Sequence, residues 1–302
     1  MEKFHTGTNA GWRKSDKSPV LGGELGTCFD VSVLLDDDGY KMYFSWRSQK
    51  SIALTESKDG LHWVKPQIVL APRQTSEGWE DDLNRPAVVF REGVYHLWYT
   101  GQFKAGEADG TSHIFFATSS DGVNFKRVQN LPVLYPQEPW EKRALMCPDV
   151  MWDGEKYRIW YSGGEQYEPN AIGYAASPDG INWTKFSRNP VFESDRNIGW
   201  EQHKTAACHV IKYKNKYLMF YIGFQNEDYA QIGIAFSNDG ISDWQRHPKN
   251  PIIAPTPGNW DGEACYKPFV LYDGEKWVLW YNGRAGSHEQ IGVAFHDGFD
   301  LL

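Results

Sequence analysis

Residues 146–183, MCPDVMWDGEKYRIWYSGGEQYEPNAIGYAASPDGINW, decide the fold. Three runs within them (148–152, 157–162 and 171–176) alternate apolar and polar residues and are separated by turns rich in Gly and Asp. Period-two alternation bounded by such turns marks half-buried antiparallel strands. The stretch closes on a Ser-x-Asp-Gly-x-x-Trp signature formed by Ser177, Asp179, Gly180 and Trp183.

The same unit recurs at residues 29–63, 85–125, 208–244 and 267–301. Each copy reads as strand A, a tight turn, strand B, a variable loop, strand C and the Ser-x-Asp-Gly turn. A fourth strand follows the turn in four copies: VKPQIVL, KRVQNLPVL, TKFSRNPVF and QRHPKNPII. The period of roughly 50–60 residues is that of a propeller blade. The last copy stops before its fourth strand. Near the N-terminus, residues 12–21 (WRKSDKSPVL) carry the missing Trp-to-Pro-Val-Leu spacing. The expected fold is therefore all-β: a five-bladed β-propeller whose ring is closed by the N-terminal strand, removing exposed sheet edges. The whole chain, 1–302, reads as one domain, with blades at about 28–72, 84–136, 146–194, 206–255 and 265–302 plus 12–21.

Composition narrows the function. The net charge of -8 excludes nucleic acid as the expected partner, as it does an anionic membrane surface. No apolar run reaches the roughly 20 residues of a membrane-spanning helix. The start, MEKFHTGTNAGWRKSD, lacks the apolar core of a signal peptide, and four Cys in so long a chain do not form a disulfide framework. A cytoplasmic setting is expected. Aromatic residues at 15%, with 14 Trp, suit stacked sheets and a sugar-facing surface. Oligomeric state is not legible.

Repetition separates scaffold from site, because a feature present in every blade cannot lie wholly in one pocket. The turn residues Asp59, Asp121, Asp179 and Asp239 read as backbone caps, with Trp63, Phe125, Trp183 and Trp244 packing between blades. The pairs Trp79-Glu80, Trp140-Glu141, Trp200-Glu201 and Trp260-Asp261 read as scaffold for the same reason.

Residues that break the pattern are the site candidates. The start of A, the end of B and the D-to-A connection share one face, where a propeller has its pocket. Aligned A-strand starts give Phe29-Asp30-Val31, Asn84-Arg85-Pro86, Met146-Cys147-Pro148, Ala207-Cys208-His209 and Tyr266-Lys267-Pro268. Two residues further in, Asp149 and His209 replace Ser32, Ala87 and Phe269. The B-strand ends contribute Trp46-Arg47, Gln102, Glu165-Gln166, Gln225-Asn226-Glu227 and Arg284. Cys28, Cys147, Cys208 and Cys265 all fall near A-strand starts; without paired Cys-x-x-Cys spacing they read as small buried thiols rather than zinc ligands.

At the level of blades the chain resembles the five-bladed propeller glycosidases: the arabinanase and xylosidase group (family 43), the invertase and levansucrase group (family 32 and relatives) and the mannoside hydrolases and phosphorylases (family 130). Phe29-Asp30-Val31-Ser32-Val33 is similar to the Asp-Pro-Ser-Val context of the first group, lacking only the proline. That resemblance implies Asp30 as base or nucleophile. Met146-Cys147-Pro148-Asp149 is similar to Glu-Cys-Pro-Asp of the invertase group, with methionine in place of the acid, and Asn84-Arg85-Pro86 lacks the carboxylate of the second-blade motif. Glycoside hydrolysis calls for two carboxylates roughly 5–10 Å apart, the acid being tuned by burial or a third carboxylate. The trio expected to serve is Asp30 as base, Glu165 as acid and Asp149 as tuner or hydroxyl ligand, with Glu263, Glu227 and Asp82 competing for the acid role. Arg85, Lys267, His209, Arg47 and Arg284 are candidates to anchor hydroxyls, a carboxylate or a phosphate; Glu263 and Asp82 join them as substrate-binding candidates. Trp46, Trp79 and Tyr266 are candidate stacking platforms. No cofactor is expected; a structural ion in the central channel is compatible with the resemblance. The reading is a glycosidase of short oligosaccharides, with a glycoside phosphorylase and a non-catalytic carbohydrate-binding propeller as alternatives.

Overall fold

The computed structural model describes residues 7–74, 77–166 and 169–301. Among these residues the regular structure is all β, apart from three single-turn 3-10 segments, and no helix is long and apolar enough to cross a membrane. A short strand, β1 (Trp12–Lys14), precedes a repeated antiparallel meander. The first copy is β2 (Cys28–Asp36), β3 (Gly39–Trp46), β4 (Ser51–Ser57) and β5 (Gln67–Leu70), hydrogen-bonded in that order. The second is β6 (Asp82–Arg91), β7 (Val94–Phe103), β8 (Thr111–Ser119) and the two-residue β9 (Lys126–Arg127). The third is β10 (Ala144–Trp152), β11 (Tyr157–Gly164) and β12 (Pro169–Ser177), with β13 (Thr184–Lys185) and β14 (Phe192–Glu193) both on the outer edge of β12. The fourth is β15 (Lys204–Tyr213), β16 (Lys216–Phe224), β17 (Ala230–Ser237) and β18 (Gln245–Arg246). The last has only β19 (Ala264–Tyr272), β20 (Lys276–Ala285) and β21 (His288–Asp297) of its own. Its outer partner is β1: Trp12 lies opposite His296 and Lys14 opposite Ala294.

Both faces of the middle strands are buried, which is why they read as nearly continuous apolar runs. In β11, Tyr157, Ile159 and Tyr161 pack with Trp98 and Phe116 of the second copy, while Trp160 turns the other way against Met219 and Tyr221 of the fourth. Each core is thus shared between neighbouring copies.

The Ser-x-Asp-Gly turns are the ties between copies. Asp121 Oδ1 accepts the backbone N–H groups of Val123 and Asn124 at 2.9 and 2.8 Å, and these bonds hold its carboxyl well below the usual carboxylate range. The freed turn carbonyls then accept from the preceding copy's middle strand. Trp98 Nε1 donates to Gly180, Trp160 Nε1 to Gly240 and Tyr43 Oη to Gly122. Trp280 of the last copy donates to Gly60 of the first at 3.1 Å.

The Trp-acid pairs form a second repeated tie, and each acid is fully buried. Glu141 accepts from Tyr161 Oη at 2.9 Å and pairs with Lys185 at 2.6 Å. Glu80 does the same with Tyr99 and Arg127, and Glu201 with Tyr221 and Arg246. In the last copy Asp261 pairs with Tyr281 and with Lys14 of β1, so β1 supplies the cation that a fourth strand supplies elsewhere. A buried hydrogen bond to a charged acceptor contributes about 1.5–3 kcal/mol. Tyr161→Phe is accordingly expected to lower unfolding free energy by about 2 kcal/mol, measured by denaturant titration with an unchanged m-value.

Candidate active site

Every A strand contains one bulge near its start, seen as a register break between Phe29 and Val31, Asn84 and Ala87, Met146 and Asp149, Ala206 and Cys208, and Tyr266 and Phe269. A bulge inserts one residue, bends the strand and re-aims a side chain. The bulged residues Asp30, Arg85, Cys147 and Lys267 take φ of 51°, 56°, 54° and 49°, a region that non-glycine residues enter only when their surroundings hold them there. Those holds are visible. The N–H of Asp30 donates to Asn282 Oδ1, that of Arg85 to Ser45 Oγ and that of Cys147 to Thr100 Oγ1, each from the copy before it. In the fourth copy the pairing puts Ala207, not Cys208, at this place, and its N–H donates to Ser162 Oγ at 2.8 Å. The aligned start of that strand is thereby corrected by one residue.

These residues line one cavity of about 590 Å³. Asp30, 3% exposed, has both oxygens engaged: Asn282 Nδ2 donates to Oδ1 at 2.6 Å and Arg85 Nε lies 3.2 Å from Oδ2. Burial opposes the charge on Arg85, yet the neighbouring carboxylates Asp30, Glu289 and Asp82 help to hold its pKa above the ordinary value. Lys267 is also 3% exposed, and its ammonium has no hydrogen bond or ion pair among the described residues. On the wall, Tyr266 Oη donates to Glu289, whose other oxygen is 3.2 Å from Arg47. Burial, then the Glu289 charge, pushes the Tyr266 phenol well above its usual pKa, so it stays a donor. Burial likewise raises Cys147 despite the nearby Arg85, which keeps it a neutral thiol.

The expected residues are sorted by this geometry. Asp30, Arg85, Lys267, Arg47 and Arg284 line the cavity together with Tyr266 and Glu227. Asp149 and His209 do not; they form a buried pair, with His209 Nδ1 at 2.7 Å from Asp149 Oδ1 and its Nε2 at 2.9 Å from the carbonyl of Val270. Glu165 is not brought to Asp30. Its side chain is 45% exposed, 3.4 Å from Lys142, and Gln166 faces the cavity in its stead. Trp46 donates its indole N–H to the carbonyl of Leu25, and Trp79 packs edge-on against His113; neither lines the cavity. Glu263 stands outside on an adjoining groove. Three of the cysteines are buried in cores between copies, where burial pushes the Cys28 thiol up to about 12. Among the described residues no three His, Cys, Asp or Glu side chains gather as a metal site.

Two residues of consequence were not singled out from sequence. Glu289 lies near the start of β21, paired with Arg284 and just before the run in which the copies agree. Asn282 occupies a repeated position filled by Ser45, Thr100, Ser162 and Ile222 elsewhere, so its amide was the available signal.

Asp82 is a buried carboxyl behind this wall, 8% exposed, accepting from Asn84 Nδ2 at 3.1 Å. Burial raises its pKa, against the Asn84 hydrogen bond and the charges of Arg47, Arg85 and Lys50. A carboxyl raised on folding adds stability fully below its unfolded value near 3.8, and that contribution is lost as pH rises through the folded value. Asp82→Asn is therefore expected to be more stable than the parent at neutral pH, with the gap closing toward pH about 4, measured by denaturant midpoints across that range.

With the all-β fold and this cavity described, the class follows. The chain matches the family described as "Glycosyl hydrolases family 32 N-terminal domain" over residues 32–207, more than half its length, and belongs to it. It is 27% identical to "Uncharacterized protein Rv1502" of Mycobacterium tuberculosis over 304 aligned positions, covering 94% of this chain and 98% of that one. It is 28% identical to the "1,2-beta-oligomannan phosphorylase" of Thermoanaerobacter sp. (strain X514) over 222 residues, 71% of this chain and 68% of that protein. A solved structure from work on the GH130 family of mannoside phosphorylases and its glycoside hydrolases superposes with a TM-score of 0.75 at 16% identity, covering 99% of this chain and 96% of that one. The chain thus sits among the propeller glycosidases.

Proposed function

We propose that the chain is a glycoside phosphorylase, built as one five-bladed propeller closed by β1, with its reaction centre over Asp30. The observation that carries this reading is Lys267: a buried ammonium with no hydrogen bond or ion pair among the described residues, lining the same cavity as Arg85. A buried lone cation is costly unless an anion completes it. Inorganic phosphate fits, because Arg and Lys together recognise its oxygens. In the reaction a phosphate oxygen bonds to the anomeric carbon as the glycosidic C–O bond breaks. Asp30 donates a proton to the departing oxygen and recovers one from the phosphate. One carboxylate suffices, since the attacking group is already an anion. The mannan phosphorylase relative supports a mannoside-type oligosaccharide as substrate.

Hydrolysis is the second reading, favoured by Glu289. This further carboxylate lines the same cavity as Asp30, and water-dependent cleavage calls for two. Four buried free thiols suit a reducing compartment and support a cytoplasmic setting.

The test is a panel of neutral oligosaccharides, β-1,2-linked mannosides included, with and without inorganic phosphate. Consumption only with phosphate is expected. Equal consumption without it selects hydrolysis, and no consumption of any member counts against both.

A further inference from the structure

We infer that the open groove beside the cavity, between the β16–β17 loop and the β20–β21 loop, binds the neutral remainder of an oligosaccharide whose scissile end lies over Asp30. This rests on the glycoside-cleaving reading above and adds the form of the substrate: a chain of several sugars taken from one end. The groove measures about 1100 Å³ and shares Glu227, Asp228 and Arg284 with the reaction cavity, so the two spaces adjoin.

Arg284 is the partition between them. Its Nη2 donates to the carbonyl of Asp228 at 2.9 Å, while its Nε is buried without a hydrogen-bond acceptor. A buried N–H lacking an acceptor is rare in folded proteins and marks a place where a ligand oxygen completes the bonding. A sugar hydroxyl passing from cavity to groove would meet it there.

The charge of the groove differs from that of the cavity floor. Asp228 and Glu263 lie 3.8 and 3.9 Å from Arg284, so the guanidinium is shared between two carboxylates, with no lone cation like Lys267. The other walls are Gln202, Gln225 and Tyr229, whose amides and phenol both donate and accept, the capacity that neutral sugar hydroxyls match. An anionic chain is disfavoured by the same carboxylates. The wall is also ordered in advance. Asn226 Oδ1 accepts the N–H groups of Asp228 and Tyr229 at 3.0 and 2.8 Å, and Gln202 Nε2 donates to the carbonyl of Gln225 at 3.1 Å. Little entropy is then lost when a chain settles against it.

Binding energy from a remote part of a substrate is expressed at the reacting centre. In the presence of phosphate, kcat/KM on β-1,2-linked manno-oligosaccharides is expected to rise about tenfold from disaccharide to tetrasaccharide. Tyr229→Ala, and separately the exposed Gln202→Ala, should pull the tetrasaccharide-to-disaccharide ratio toward one. Saturation-transfer NMR on the Asp30→Asn protein should show contact with the outer sugars of the tetrasaccharide, weakened by Tyr229→Ala. Turnover without chain-length preference, or a preference that both variants leave intact, overturns the groove assignment while the enzyme reading stands. Neither turnover nor binding at any length overturns both.

Discussion

Asp30→Asn is expected to reduce turnover by about 10²- to 10⁴-fold, the range attributable to one positioned acid-base group, while the melting profile stays close to that of the parent. The side chain keeps its shape, so the bulge at φ 51° and the backbone bond to Asn282 are undisturbed. What disappears is the ability to carry and release a proton at Oδ2, beside Arg85. Arg85 loses one counter-charge but keeps Asn84 Oδ1 at 2.5 Å and the fields of Glu289 and Asp82. Near-parental turnover in a folded Asp30→Asn protein would remove Asp30 from the reaction. Initial rates on the best oligosaccharide, with circular dichroism as the folding control, make the measurement.

Lys267→Met is expected to move activity and stability in opposite directions. Removing a charged contact to phosphate forfeits about 1.5–3 kcal/mol, so phosphate should bind about 10- to 100-fold more weakly. The unliganded fold should gain on the order of 2 kcal/mol, because an uncompensated buried ammonium is replaced by an apolar chain of similar length. A gain of that size raises the melting temperature by a few degrees. A scaffold lysine would behave otherwise: its loss would destabilise and leave phosphate binding unchanged. Calorimetric titration of phosphate and thermal unfolding, with and without phosphate, separate the two accounts.

The blade repeats were legible because one pattern is spelled out several times; the recurring turns proved to be ties between copies, and the recurring Trp-acid pairs ties between the middle and outer strands of one copy. Asp30, Arg85 and Lys267 were legible as departures from a shared position. Other parts failed for physical reasons. Glu165 and Gln166 sit in the bend just after β11, where strand alternation no longer fixes which of two neighbouring side chains faces the cavity. Ala207 and Cys208 are both small and buried, and only hydrogen-bond pairing shows which is bulged. Asp149 and His209 were correctly seen as inward, but sequence spacing carries no depth, and they meet each other rather than the cavity. Glu289 lies at the start of β21, just before the run in which the copies agree.

The most direct measurement is a 31P NMR time course of the enzyme with a turned-over oligosaccharide and inorganic phosphate. The phosphate signal should fall as a sugar 1-phosphate signal grows in equal amount, and the shortened sugar leaves with the reducing end it already had, so reducing ends show no net gain. A net gain of reducing ends at an undiminished rate while the phosphate signal stays constant would contradict the assignment of Lys267 and Arg85 as the phosphate site and return the cavity to hydrolysis.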